Sequence, residues 1–169
     1  MKKIEISTEE KKDKLSKVVL FQNLNPEELE LIATATYALE FSKNEIIIKE
    51  GEIGDCLYIL YSGTVKVLKE TFAKEQYAVA QIDAEGNAFF GEMALIDKDA
   101  RTATIQAVSN VITLVLESAT FENLANNNFK IGYLILKAVA KKLTERLKAA
   151  NSDIATLFGA LAEEIEQEG

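Results

Sequence analysis

The sequence predicts a mainly β protein within the α+β class: a sandwich or jelly roll, with helices before it and a long helix after it. Three observations carry that prediction. Between Tyr37 and Glu117, short runs alternate apolar and polar residues, with turn residues between the runs. Alternation at period two marks half-buried strands, and short strands repeated at this spacing favour packed antiparallel sheets over a parallel one. Helix-start signals precede the stretch, and a helical period resumes behind it.

Taken in order, Ser7-Thr8-Glu9-Glu10 offers a capping hydroxyl and acidic first-turn residues, which suit a helix running to about Leu20. Asn25-Pro26-Glu27-Glu28 is a stronger start, because Asn can cap and Pro fits the first helical position. Leu29, Ile32 and Ala33 then recur at helical spacing, so helices are expected to fill residues 1–36. Strands follow over 37–117. Ile46 and Ile48 sit among Glu45, Lys49 and Glu50; Val65 and Val67 flank Lys66; Ala80 and Ile82 flank Gln81. Turn signals fall at Ser42-Lys43-Asn44, Gly51, Gly54-Asp55, Ser62-Gly63, Asp83 to Asn87 and Ser109-Asn110. Over 118–169 the helical period returns. Ser118 can cap a short helix through Asn126, and a long one starts near Asn128. Leu136, Ala140, Leu143, Leu147, Ala150, Ile154, Leu157 and Leu161 are spaced alternately four and three apart, a heptad seam. One reading lays this helix on its own barrel. The other also pairs it with a symmetry mate, since at about 1.5 Å per residue it outreaches a small barrel. Asn151-Ser152-Asp153 and Gly159 are the points where it could break.

Composition narrows the function classes. A formal net charge of −8 disfavours nucleic acid and anionic membrane as main partners, but allows a small anion in a locally positive pocket. The single cysteine, Cys56, stands in an apolar run and reads as a buried, inert thiol. Histidine is absent, which removes His-based metal sites, Ser-His-Asp triads and the commonest general base. No run approaches the length of a membrane span, and the N-terminus lacks a signal-peptide core, so a cytosolic location is expected.

The most informative stretch is FGEMALIDKDARTAT, residues 90–104. Phe89-Phe90 ends a strand, and Gly91 permits an unusual backbone or close approach of a ligand. Glu92-Met93-Ala94-Leu95 can form one helical turn, whose leading N–H groups attract anions. Arg101 carries a permanent planar cation suited to phosphate oxygens, and Thr102 adds a hydroxyl beside it. Glu92, acceptor-only when ionised, suits sugar hydroxyls. Anion cradle, arginine and offset carboxylate together describe a phosphorylated sugar. The plain alternatives are a turn glycine and a Glu92–Arg101 ion pair; an exposed pair adds only about 0–1 kcal/mol, a weak reason for the ordered set.

FFGEMAL followed by ARTATI resembles the phosphate-binding cassette of the cyclic nucleotide-binding domain family, spanning 89–104 here. KEGEIGDCLYILYSGTVKV resembles that family's glycine-marked β-roll, and the resemblance covers roughly residues 18–150. It implies a double-stranded β-helix, or jelly roll. It also implies that Gly91, Met93 and Ala94 offer backbone to a cyclic phosphate and ribose, that Glu92 takes the ribose 2′-hydroxyl, and that Arg101 pairs with the phosphate. Ala103 would line the cassette, and Val67 and Ala80 would touch base or sugar. Thr102 holds a position that is often alanine in cAMP-selective members and Thr or Ser in members accepting cGMP. The long helix caps the base in dimeric members, with Asn151 near that level. Ala100 stands where many members carry proline, the connection EGNAFFGE is one residue longer than usual, and Ala150 lacks a hydroxyl that helps bind adenine in the catabolite activator protein.

The expected function is a non-enzymatic receptor for cAMP, cGMP or both, without a cofactor. It would be a homodimer through the C-terminal helix, a lid and dimerisation element that moves on binding to regulate a downstream protein. The same roll reading another small effector, or a degenerate module serving as a dimeric interaction protein, are the alternatives. A cupin-type enzyme commonly needs metal-binding histidines, which this chain lacks, and a DNA-reading element is not evident.

Overall fold

A computed structural model describes residues 1–71 and 74–168, with the side chains of residues 161 and 164–168 outside the description. Its first element is a strand, β1 (Lys2–Ile4), where helices alone were expected. β1 pairs antiparallel with β2 (Tyr37–Phe41), setting Lys2 opposite Glu40. Three residues are too few to register as alternation, and their partner lies far along the chain. Helix α1 (Thr8–Ser16) begins at the expected cap: Ser7 and Glu10 satisfy each other's backbone N–H groups. It ends before Leu20, because Val18, Leu20 and Phe21 leave the helical path to become fully buried. Helix α2 (Pro26–Ala35) has the same reciprocal cap from Asn25 and Glu28.

The remaining strands are β3 (Ile46–Ile48), β4 (Cys56–Ser62), β5 (Thr64–Glu70), β6 (Gln76–Asp83), β7 (Phe89–Phe90), β8 (Thr104–Ala107) and β9 (Val111–Glu117). They form two antiparallel sheets, ordered β1-β2-β9-β4-β7 and β3-β8-β5-β6. The fold is the jelly roll that the alternation implied.

Period-two packing explains both cores. On β9, Val111 and Val115 point between the sheets, while Leu114 and Leu116 point to the helices. On β4, Cys56 and Leu60 take the first direction, and Leu57 and Ile59 the second. These strands are covered on both faces and therefore read as continuous apolar runs. Truncating a core residue such as Leu57 to alanine should cost about 2–5 kcal/mol.

Helix α3 (Ser118–Asn127) starts one residue away from the expected cap. Glu117 holds the cap position, and the Ser118 hydroxyl instead donates to the carbonyl of Ala94 at 2.7 Å. Ser118 thereby ties α3 to the cassette. Helix α4 (Phe129–Glu168) is unbroken across Asn151-Ser152-Asp153 and Gly159. It lies on the body through Ile131, Ile135 and Val139, all fully buried, and of the predicted seam only Leu143 is packed against that core among the described residues. Of that seam, Leu143 is half-buried, and Leu136, Ala140, Leu147, Ala150, Ile154 and Leu157 are exposed; the Leu161 side chain lies outside the described residues. Among the described residues no helix is long and apolar enough to cross a membrane.

Candidate functional site

A cavity of about 460 Å³ opens between the second sheet, the 91–103 loop and α4. Strand β7 delivers the loop to it: Phe90 pairs with Tyr58 across the sheet, their rings stacked 5.4 Å apart, and its side chain faces the cavity. Gly91 then turns the chain with φ of 77°, a left-handed conformation that side chains resist. Glu92–Leu95 follow as the single 3-10 turn expected, with Ala94 buried. Among the described residues no backbone acceptor engages the N–H of Glu92 or Met93.

Arg101 is seated by main chain. Its Nη2 donates to the carbonyl of Cys56 at 2.8 Å and its Nη1 to that of Gly91 at 3.2 Å. Two glycines make the seat. A Cβ on Gly91 would come within 2.8 Å of both Nη1 and the Cys56 carbonyl; one on Gly54 would stand 1.9 Å from Nε. Gly54 reads in the sequence as a turn residue, yet what it supplies is room for the guanidinium. Arg101 has no carboxylate partner among the described ion pairs. The Glu92–Arg101 pair that the sequence allowed is therefore not formed. Glu92 is 2% exposed and accepts instead from Nη1 of Arg146 on α4.

The other expected residues fall as follows. Val67 and Ala80 are register partners on β5 and β6, and both line the cavity. Met93, Thr102 and Ala103 line it too. Thr102 is exposed, and its carbonyl accepts from the Lys69 ammonium. Asn151 sits on an exposed stretch of α4 and does not line the cavity. The α4 residues that do are Leu143 and Arg146, more than a turn earlier.

Sequence reasoning passed over Arg146, although a signal was there. The 19 basic residues comprise 17 lysines and two arginines, Arg101 and Arg146, and both line this cavity. Cys56 serves through its carbonyl only. Burial first, then the hydrogen bond to Asp55, push its thiol up to about 12, so it stays protonated. Among the described residues no cluster of His, Cys, Asp or Glu could hold a metal ion.

The cyclic nucleotide-binding domain family matches residues 38–128, more than half of the chain. The chain belongs to the cyclic nucleotide-binding domain family. That family is a ligand-sensing, non-catalytic module. Among curated relatives, the chain is 36% identical over 110 residues to a cAMP-dependent protein kinase regulatory subunit of Mucor circinelloides f. lusitanicus, covering 65% of this chain and 25% of the relative. It is 37% identical over 114 residues to cGMP-dependent protein kinase 2 of Mus musculus, covering 67% of this chain and 15% of the kinase. The chain thus spans a quarter or less of these two relatives. A solved cyclic nucleotide-binding domain from Methylobacillus flagellatus superposes with a TM-score of 0.74 at 26% identity, covering 87% of this chain and 82% of that one.

Proposed function

We propose that this chain is a non-enzymatic receptor module for cAMP, cGMP or both, working in the cytosol as a homodimer. The observation that carries the reading is Arg101: a half-buried guanidinium on a cavity wall, held by carbonyls, with no carboxylate to neutralise it among the described residues. A cation kept that way has its charge available for an anionic ligand. The apolar wall from Val67, Ala80, Ile82 and Ile105 suits a base, and the Glu92 carboxylate suits a ribose hydroxyl. Gly91, Met93, Ala94 and Ala103 would close on the phosphate and sugar. Thr102 supplies a hydroxyl at the cavity edge, and the similarity to a cGMP-dependent kinase supports testing cGMP beside cAMP.

Signal output would run through α4. Leu143 and Arg146 belong to both the cavity wall and that helix, so a ligand filling the cavity favours one helix position over another. The seam from Leu136 to Leu157 carries heptad spacing, and apart from the half-buried Leu143, which packs on the body, its residues are exposed. A second copy of the chain is its proposed occupant, since a heptad seam is self-complementary. A downstream protein would read the helix movement.

Calorimetric titration with cAMP and cGMP side by side tests the receptor. We expect saturable binding of at least one. Arg101→Ala should weaken it more than 100-fold, the effect of leaving a desolvated charge unpaired. Unchanged affinity in that variant, or no binding of either nucleotide up to millimolar concentration, would overturn the reading. Thr102→Ala should shift the cGMP-to-cAMP ratio toward cAMP.

A further inference from the structure

The two halves of α4 carry opposite charge. Residues 129–148 hold Lys130, Lys137, Lys141, Lys142, Arg146 and Lys148 against one acid, Glu145, a net charge of +5. Residues 149–168 hold Asp153, Glu163, Glu164, Glu166 and Glu168 and no base, a net charge of −5. The helix runs unbroken through the change of sign.

The apolar seam runs through both halves. Phe129 and Tyr133 extend it backward with the same alternation of four and three, and they are 80% and 62% exposed. Leu136, Leu147, Ile154 and Leu157 are exposed as well. From Thr144 to Ala160 every residue is exposed, so this stretch packs on nothing in its own chain.

Two identical helices can share such a seam in either of two directions. Parallel and in register, the basic halves lie together and the acidic halves lie together, and juxtaposed like charges oppose association. Every seam residue then meets its own copy, so Ala140 faces Ala140 and Ala150 faces Ala150, two thinly filled layers. Antiparallel, each basic half lies on an acidic half. Matching the halves end to end sets Lys148 level with Ala149 of the second copy. Ala140 then meets Leu157, Ala150 meets Leu147, and Leu143 meets Ile154. A large side chain fills the space beside each small one. Charge and side-chain volume are independent patterns, and both select this direction and this register.

Resting on the homodimer reading, we infer that the second copy packs antiparallel, the outer half of each α4 lying on the first half of the other. Leu143 lines the cavity, so Ile154 of the second copy backs the helix segment that walls it. Each protomer's outer helix braces the other's lid, and a lid that moves on ligand binding moves against its partner.

Cross-linking through introduced thiols reads the direction. Ala140→Cys and Leu157→Cys, both at exposed positions, are oxidised separately and after mixing with subunit exchange, then resolved on non-reducing denaturing gels. Wild type, whose Cys56 is buried, is the control. The mixture should give disulfide-linked dimer, and either variant alone should give little. A nitroxide attached at Ala140→Cys, read by electron paramagnetic resonance, should lie about 25 Å or more from its mate, the axial offset from residue 140 to residue 157 at about 1.5 Å per residue. Parallel helices would bring the labels to about 10 Å, the distance between packed helix axes. Should Leu157→Cys fail to fold, the spin label alone decides. Linked dimers from each variant by itself, or the short label distance, overturn the antiparallel arrangement and leave the homodimer reading standing. A wild-type dimer by sedimentation that cross-links in no combination overturns this interface. A wild-type monomer at high micromolar concentration overturns both.

Discussion

The 91–103 loop and the outer half of α4 make an instructive pair. Both carry a strong sequence pattern, and the structure treats them differently. The loop closes on itself: Gly91 turns, Ala94 packs, Ser118 anchors the turn, and Arg101 lies between two glycines. Each feature finds its partner within the chain. Beyond Leu143 the seam on α4 finds none among the described residues. Leu147 is 62% exposed and Leu157 64%, although their spacing is as regular as that of any buried face in the molecule. Periodicity states that a face is apolar; it does not state what covers it. A motif whose residues differ in kind constrains its own surroundings far more tightly than a repeat of one kind.

Three experiments would break or sharpen that contrast. The largest effect is expected in the loop's seat. Gly54→Ala puts a methyl where Arg101 Nε lies, so the guanidinium must leave its carbonyls. Nucleotide affinity measured by calorimetry should fall about 10- to 100-fold, by analogy with lost charge-assisted contacts. A variant binding as wild type would mean that the guanidinium has another seat. A moderate effect is expected on α4. Leu147→Glu with Leu157→Glu places like charges on the seam, and sedimentation should shift from twice the chain mass toward one, with little change in the thermal midpoint of the exposed-side variant. A wild-type monomer at high micromolar concentration would instead remove the second copy as occupant.

The smallest effect concerns how α4 is held at its start. The Lys130 ammonium, and next the Asn25 backbone N–H, hold the Glu28 carboxyl below its ordinary value of 4.5. The folded state therefore binds fewer protons there than the unfolded chain. Glu28 contributes stability above pH about 4.5, and that contribution is lost as pH falls through the lowered folded value. Urea unfolding of wild type and Glu28→Gln should differ near pH 6 and converge toward pH 3. A constant difference across that range would show that the charge of Glu28 is not what stabilises.

Much of the site was legible because its residue types are chemically unlike their neighbours. A glycine, a carboxylate and an arginine at fixed spacing in an acidic chain each need a reason. Gly54 was legible only as a turn, since nothing local reveals that a side chain 47 residues later fills the space above it. Arg146 was hidden among lysines on a helix, and only its contact with Glu92 marks it. Strand β1 escaped because three residues carry no period, and α1 stopped short because burial of Val18 and Phe21 outweighed helix continuation.

By itself, the sequence determined the class of fold, the succession of helices, strands and helices after β1, and the chemical character of the 91–103 loop. Those depend on local patterns of two, three and four residues and on individual side-chain chemistry. Only the tertiary structure decided which face of α4 is buried, which cation neutralises Glu92, and which glycines make room for Arg101. Such choices join residues tens of positions apart, and spacing along the chain holds no information about distance across it until the sheets and helices have packed.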